Sequence, residues 1–235
     1  MPQASLSVVV MAFNEVANLE TVVREIHGEL RALGWPFQIV IVDDGSSDGT
    51  GALADRLAGE LANVQVIHHA VNQGLGGVYR TGFERGGGDL LSFFPADGQF
   101  PATIITQLAP LMADHDLVLG YLPQRAGSIA KGLSLAERAL YRLLFGPMPR
   151  FQGIFMLRGQ VLQQIELRTT GRGWGICMEM VLRVYRGGYR VTSVPTAFRP
   201  RLSGRSKVNN ARTIWINLKQ AVALRRVLDS SRRRW

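Results

Sequence analysis

The chain has 235 residues, enough for one large α/β domain, and its 46% hydrophobic content can fill a sizeable core, so disorder is excluded as the default state. One cysteine, Cys177, excludes an internal disulfide framework, fits a reducing compartment and reads as a small buried apolar residue. The net charge of +9 divides unevenly, with −9 over residues 1–119 and +18 over residues 120–235. An acidic half suits a metal ion or a nucleoside, and a basic half attracts phosphates, anionic lipid or nucleic acid.

In chain order, Leu6–Ala12 reads as a valine-rich buried strand that ends at Phe13-Asn14-Glu15. Asn18 is placed to cap a helix reaching about Leu33, with Leu19, Val22, Val23, Ile26 and Leu30 at helical spacing and Gly34 and Pro36 as the stop. Phe37–Val42 is a second strand, closed by Asp43-Asp44-Gly45, and a helix follows from Asp48 or Thr50 to about Ala62. Val64–His68 is a third strand, Gly76–Arg85 a helix and Leu90–Phe94 a fourth strand. This alternation implies a mostly parallel sheet with helices on both faces, and its loops at the carboxyl ends of the strands form the ligand edge.

The later half is less regular. Helices are expected over Leu133–Phe145, Cys177–Tyr185 and Thr213–Leu228, and strands over Phe151–Leu157 and Arg190–Val194. With no repeat or clear linker, the whole chain reads as one domain. No window holds eighteen apolar residues without charge, and the N-terminus lacks a basic stretch followed by a long apolar one. A cytoplasmic protein that neither crosses a membrane nor carries a secretion signal is the expectation. The final helix, with the basic end Arg232-Arg233-Arg234-Trp235, suits the surface of an anionic bilayer, although a core-packing helix with a loose tail fits equally. The basic residues match no nucleic-acid reader motif, so no nucleic-acid partner is expected.

Three constellations carry chemistry. Val42-Asp43-Asp44-Gly45-Ser46-Ser47-Asp48-Gly49-Thr50 sets two carboxylates at a strand end, where they can accept from a base N–H or a ribose hydroxyl; Asp48 and Thr50 read better as capping residues. Asn72-Gln73-Gly74-Leu75-Gly76-Gly77, followed by Arg80 and Gly82, lets backbone approach a ligand and offers a guanidinium to a phosphate, or is simply a turn. Pro95-Ala96-Asp97-Gly98-Gln99 supplies oxygen ligands two residues apart, suited to Mg²⁺ or Mn²⁺ bound mainly through a diphosphate, or is equally a turn aspartate followed by a surface glutamine. There is no G-x-x-x-x-G-K-[ST] and no G-x-G-x-x-G in the first turn, which argues against a P-loop and a dinucleotide-binding domain. His27, His68, His69 and His115 lack metal-ligand spacing and read as structural or surface residues.

Together these motifs resemble the family-two inverting glycosyltransferases of the GT-A fold, particularly the polyprenyl-phosphate sugar synthases. The resemblance covers roughly residues 5–220 and includes Val8–Glu15, Val42–Thr50, Asn72-x-Gly74 with Gly82, and Gly88-Asp89. Gly153-Ile154-Phe155, Glu179, and Val194-Pro195 with Arg201-x-x-Gly204-x-Ser206-Lys207 extend it into the second half. It implies a donor half over 1–119, an acceptor half over 120–212 and a basic C-terminal segment over 213–235. It implies that Phe13, Glu15, Asp43, Asp44, Asn72, Gly74 and Arg80 surround the nucleotide sugar, and that Asp97 and Gln99 hold the metal and diphosphate. Arg201, Ser206 and Lys207 would meet the polyprenyl phosphate or the leaving diphosphate. For a hydroxyl acceptor Glu179 is the candidate base, its alternative role being a buried partner for a neighbouring arginine. One departure stands out: the family has D-x-D before this glutamine, and position 95 here is proline, which has no side-chain ligand.

Overall fold

The computed structural model describes residues 4–122, 141–201 and 219–228. The first half alternates strands and helices as the hydrophobic runs dictate: β1 (Leu6–Ala12), α1 (Leu19–Leu33), β2 (Phe37–Asp43), α2 (Thr50–Glu60), β3 (Val64–His68), α3 (Gly74–Arg85) and β4 (Leu90–Pro95). Then come the short α4 (Ile104–Leu108), a 3-10 turn over Ala109–Ala113, β5 (Leu117–Tyr121), β6 (Phe155–Arg158), α5 (Gly159–Gln164), α6 (Gly175–Arg186) and β7 (Val191–Pro195). Residues 141–145 and 219–228 are also helical.

The seven strands form one sheet in the order β3-β2-β1-β4-β6-β5-β7. All pairings are parallel except those of β6, which runs antiparallel to both β4 and β5. The period-two alternation of a sheet shared between two layers is visible in β1. Val8 and Val10 join Ile39 and Ile41 in a core beneath α1 and α2, while Val9 joins Val40, Val42 and Phe93 in a core beneath α3 and α6. Burying each such side chain is worth about 1.5–3 kcal/mol, so the sheet interior fixes the register that aims the loops. A third cluster, including Phe145, Met178, Leu182, Ala221 and Leu224, joins segments 141–145 and 219–228 to α6.

Several sequence expectations change. The strand expected over Phe151–Leu157 is only Phe155–Arg158, because Gly153 turns the chain at φ 109° just before it. Asn18 does not cap α1 with its side chain, and its amide donates to Glu15 Oε2 (2.7 Å). Residues 133–140 and 213–218 of the two expected late helices lie outside the described residues. Cys177 is fully buried in the α3–α6 core, and desolvation pushes its thiol up to about 12, in keeping with an apolar role. Among the described residues no helix is long and apolar enough to cross a membrane.

Candidate active site

The turn after β1 is sewn to the turn after β2. Asn14, at φ 53°, donates its N–H to Ser46 Oγ (2.9 Å), and its side-chain oxygen accepts from Ser47 N (2.9 Å). Glu15 N donates to Thr50 Oγ1 (2.8 Å), and Thr50 Oγ1 donates to Asp48 Oδ1 (2.5 Å). Asp48 also accepts Thr50 N (3.0 Å) and Val16 N (3.2 Å), so it ties the first helical N–H of α2 to the neighbouring turn. Phe13 is half-buried beside them.

Asp43 and Asp44 are almost fully buried, and each is paired with a histidine. Asp43 Oδ1 accepts Ser46 N (3.2 Å), and its Oδ2 lies 3.0 Å from His68 Nδ1. Asp44 is a hub: Gln73 N and Gly74 N donate to its two oxygens (both 2.8 Å), and His69 Nδ1 lies 2.7 Å from Oδ1. His69 Nε2 in turn meets Thr81 Oγ1 at 2.8 Å. The second carboxylate of the D-D-G motif therefore shapes the glycine-rich 72–77 loop by gripping its backbone. His68 and His69, read from sequence as structural or surface residues, are structural partners of Asp43 and Asp44 respectively. Parallel pairing places Asp43 opposite His68 in the register, which is the signal that links them.

Residues 72–80 also meet the 171–172 loop of the second half. Asn72 donates to Asp44 O (3.1 Å) and accepts from Arg172 (2.6 Å). Gly76 N donates to Arg172 O (2.8 Å), and a Cβ at Gly76 would lie 2.0 Å from Gly171 O, so only glycine allows this approach. Gly74, at φ 73°, faces Arg172 O in the same way. Arg80 directs its guanidinium to Gly171 O (3.4 Å). Arg172 carried no sequence signal, since its placement comes from tertiary contact.

Loop 168–174 is held from below by Glu179. This fully buried carboxylate accepts Arg168 N (3.0 and 3.1 Å), Thr169 N (2.7 Å) and Arg183 Nε (2.8 Å). Its contacts are those of a buried ion-pair partner and loop anchor.

A third group forms where β4 ends. Asp97 Oδ1 accepts Gln99 N (3.0 Å), and the segment after β7 lies across this turn through Arg199 N to Gln99 O (2.9 Å) and Arg199 Nε to Gly98 O (2.5 Å). That brings Arg201 into an ion pair with Glu15 and within 4.0 Å of Asp97 Oδ2. Desolvation raises the Asp97 pKa, and the charge of Glu15 adds to the rise, while Arg201 opposes it. A divalent cation would relieve that poorly solvated carboxylate. Among the described residues no three His, Cys, Asp or Glu side chains gather as a metal cage. This donor set fits a hard cation held by Asp97 and the Gln99 side chain, with diphosphate oxygens supplying the remaining ligands. Ser206 and Lys207 lie outside the described residues.

Sheet and site together define a GT-A glycosyltransferase. The solved mannosyltransferase of Pyrobaculum calidifontis, in complex with GDP-Man and Mn²⁺, matches this fold with a TM-score of 0.67 at 17% identity, over 94% of this chain and 64% of that one. The chain belongs to the family described as Glycosyl transferase family 2, whose model matches residues 7–165. It is 30% identical over 213 residues to the undecaprenyl-phosphate mannosyltransferase of Micrococcus luteus, covering 86% of each chain. It is 31% identical over 226 residues to the polyprenol monophosphomannose synthase of Mycolicibacterium smegmatis, covering 89% of this chain and 83% of that protein.

Proposed function

We propose that the protein transfers a sugar from a nucleoside-diphosphate sugar to a polyprenyl phosphate, with inversion at the anomeric carbon, at the cytoplasmic face of a membrane. The observation that carries this reading is the meeting of Arg201, from the second half, with Glu15 and Asp97 of the first. Such a junction provides one place for two anionic reactants. In this reading residues 1–119 bind the donor, 120–212 the acceptor, and 213–235 contact the bilayer. Names of relatives that act on polyprenyl or undecaprenyl phosphate favour the lipid acceptor.

A phosphate monoester, with a second pKa of about 6, is already largely dianionic at neutral pH and attacks without a base. The engagement of Glu179 by three donor groups supports an acceptor of that kind. The chain's task is then to align the phosphate with the anomeric carbon and to stabilise charge on the leaving diphosphate. Glu15, Asp43 and Asp44 define the nucleoside side, with Asp44 acting through the loop that it holds. Asn72, Gly74 and Arg80 belong to the donor side, and Arg201, Ser206 and Lys207 are assigned to the phosphates. Asp97 and Gln99 would hold Mg²⁺ or Mn²⁺, which supplies charge neutralisation on the diphosphate when bound. Exposed Leu143 (78%) and Val222 (41%), beside exposed Arg142, Arg225 and Arg226, support contact with an anionic bilayer.

The test supplies GDP-mannose, UDP-glucose or UDP-GlcNAc with undecaprenyl phosphate in vesicles and follows the glycolipid by chromatography, its anomer by NMR. Product with inverted configuration is the expected result. Transfer to a hydroxyl acceptor, with none to the lipid phosphate from any donor, would refute the proposal.

A further inference from the structure

Glu15, Asp97 and Arg201 lie together in a poorly solvated place, with side-chain exposures of 9%, 18% and 16%. One terminal nitrogen of Arg201 pairs with Glu15 Oε1, and the other stands 4.0 Å from Asp97 Oδ2. Glu15 Oε2 is taken by Asn18 (2.7 Å). The Arg199 contacts with Gly98 and Gln99 lay the segment on the β4 turn, so Arg201 is delivered to the carboxylates by backbone as well as by charge. Any cation approaching Asp97 from the side of Glu15 meets a guanidinium already in place.

We propose that Arg201 is a resident cation of the donor site, one that keeps free divalent metal off the Glu15–Asp97 pair and turns to the diphosphate when donor and metal enter together. The proposal rests on the donor-site reading above and adds an order to it. Two carboxylates and one guanidinium carry a net charge of −1, so a lone dication would leave the cluster at +1, with like charges at close range in a poorly solvated place. A nucleoside diphosphate brings negative charge enough for both cations, and its oxygens give the guanidinium a bidentate partner to replace Glu15. Pro95 strengthens the effect, because a second carboxylate at that position would favour the metal against the arginine. Arg201 thereby couples metal binding to nucleotide binding.

The coupling is read directly, without turnover, by titrating Mn²⁺ and following the electron paramagnetic resonance of the free ion. Titrations are run with the protein alone and with GDP or UDP, and calorimetry gives the affinity of each nucleotide without metal. Wild type is expected to bind Mn²⁺ at least tenfold more tightly when a nucleoside diphosphate is present, beyond the affinity of Mn²⁺ for the nucleotide itself. Arg201→Gln should bind Mn²⁺ alone at least tenfold more tightly than wild type, with a smaller nucleotide effect. Arg201→Lys, which keeps the charge, should bind Mn²⁺ alone within threefold of wild type and serves where the glutamine variant does not fold. Mn²⁺ binding to Arg201→Gln no tighter than to wild type, or a tenfold gain in Arg201→Lys, would overturn the proposal. If GDP and UDP bind but Mn²⁺ shows none of this pattern, the resident-cation role falls and the donor site stands. If neither nucleotide binds under any condition, both fall.

Discussion

Replacing Glu179 by glutamine distinguishes a loop anchor from a catalytic base. The carboxylate serves two backbone N–H groups and the Arg183 guanidinium at 2.7–3.1 Å with no solvent exposure of its own. Glutamine keeps one acceptor oxygen, so its amide NH₂ must face either the guanidinium or the backbone N–H groups of Arg168 and Thr169. At least one donor is then orphaned, at about 1–3 kcal/mol, and a charge-assisted bond of about 1.5–3 kcal/mol is lost. Arg183 is 16% exposed and recovers part of this from water, which leaves an expected destabilisation of about 3 kcal/mol. Urea unfolding measures that loss, and hydrogen exchange should show faster exchange at residues 168–174. Donor affinity should weaken with it, because Arg172 loses its platform. A base would behave otherwise: stability would hold while turnover fell by about 10²–10⁴ and the acid limb of the pH–rate profile vanished. Stability within about 0.5 kcal/mol of wild type, combined with abolished transfer, would refute the anchoring role.

Asp44→Ala should release Gln73 N, Gly74 N and His69 from their acceptor, cost about 3–4 kcal/mol, and weaken nucleotide binding at least tenfold by calorimetry. Gly76→Ala, whose Cβ would meet Gly171 O at 2.0 Å, should cost about 1–3 kcal/mol and raise the KM for the donor as loop 171–173 is pushed away. His68 is held above its ordinary pKa first by its bond to Asp43 and then by that to Asp55. Its stabilisation is complete below the unfolded value of about 6.5, and fades as pH rises through the higher folded value. Because the ring is 43% exposed, the effect is under about 1 kcal/mol. His68→Gln should therefore lower Tm more at pH 6 than at pH 9, as read by calorimetric scans.

Strands β1, β2 and β4 were legible as apolar runs of strand length with Asp or Asn close to an end, and β3 as a short β-branched stretch after Asn63. The elements after β4 were obscured for a physical reason. β6 has only four residues, and α4 and α5 have five and six, too few turns for a helical period to register. Glu15, Asp97 and Arg201 were singled out as residues, but their contact depends on a segment after β7 crossing the β4 turn. His68 and His69 are structural, as their lack of ligand spacing implies, but their aspartate partners lie one strand away and so leave no mark along the chain. Arg172 sits between two glycines in a loop without pattern, and it becomes visible only when that loop meets α3.

The antiparallel strand β6 bears on how this chain can be divided. It pairs with β4 on one side and β5 on the other, so the outer edge of the first four strands is completed by residues 155–158 from beyond the middle of the sequence. A fragment ending near residue 122 would lack that strand and leave backbone donors and acceptors of β4 open to pairing with other molecules. Residues 1–119 thus leave an edge of their own sheet for a later strand to close. Exchanging the segment beyond residue 122 between relatives requires keeping the pairing of β6 with β4 intact.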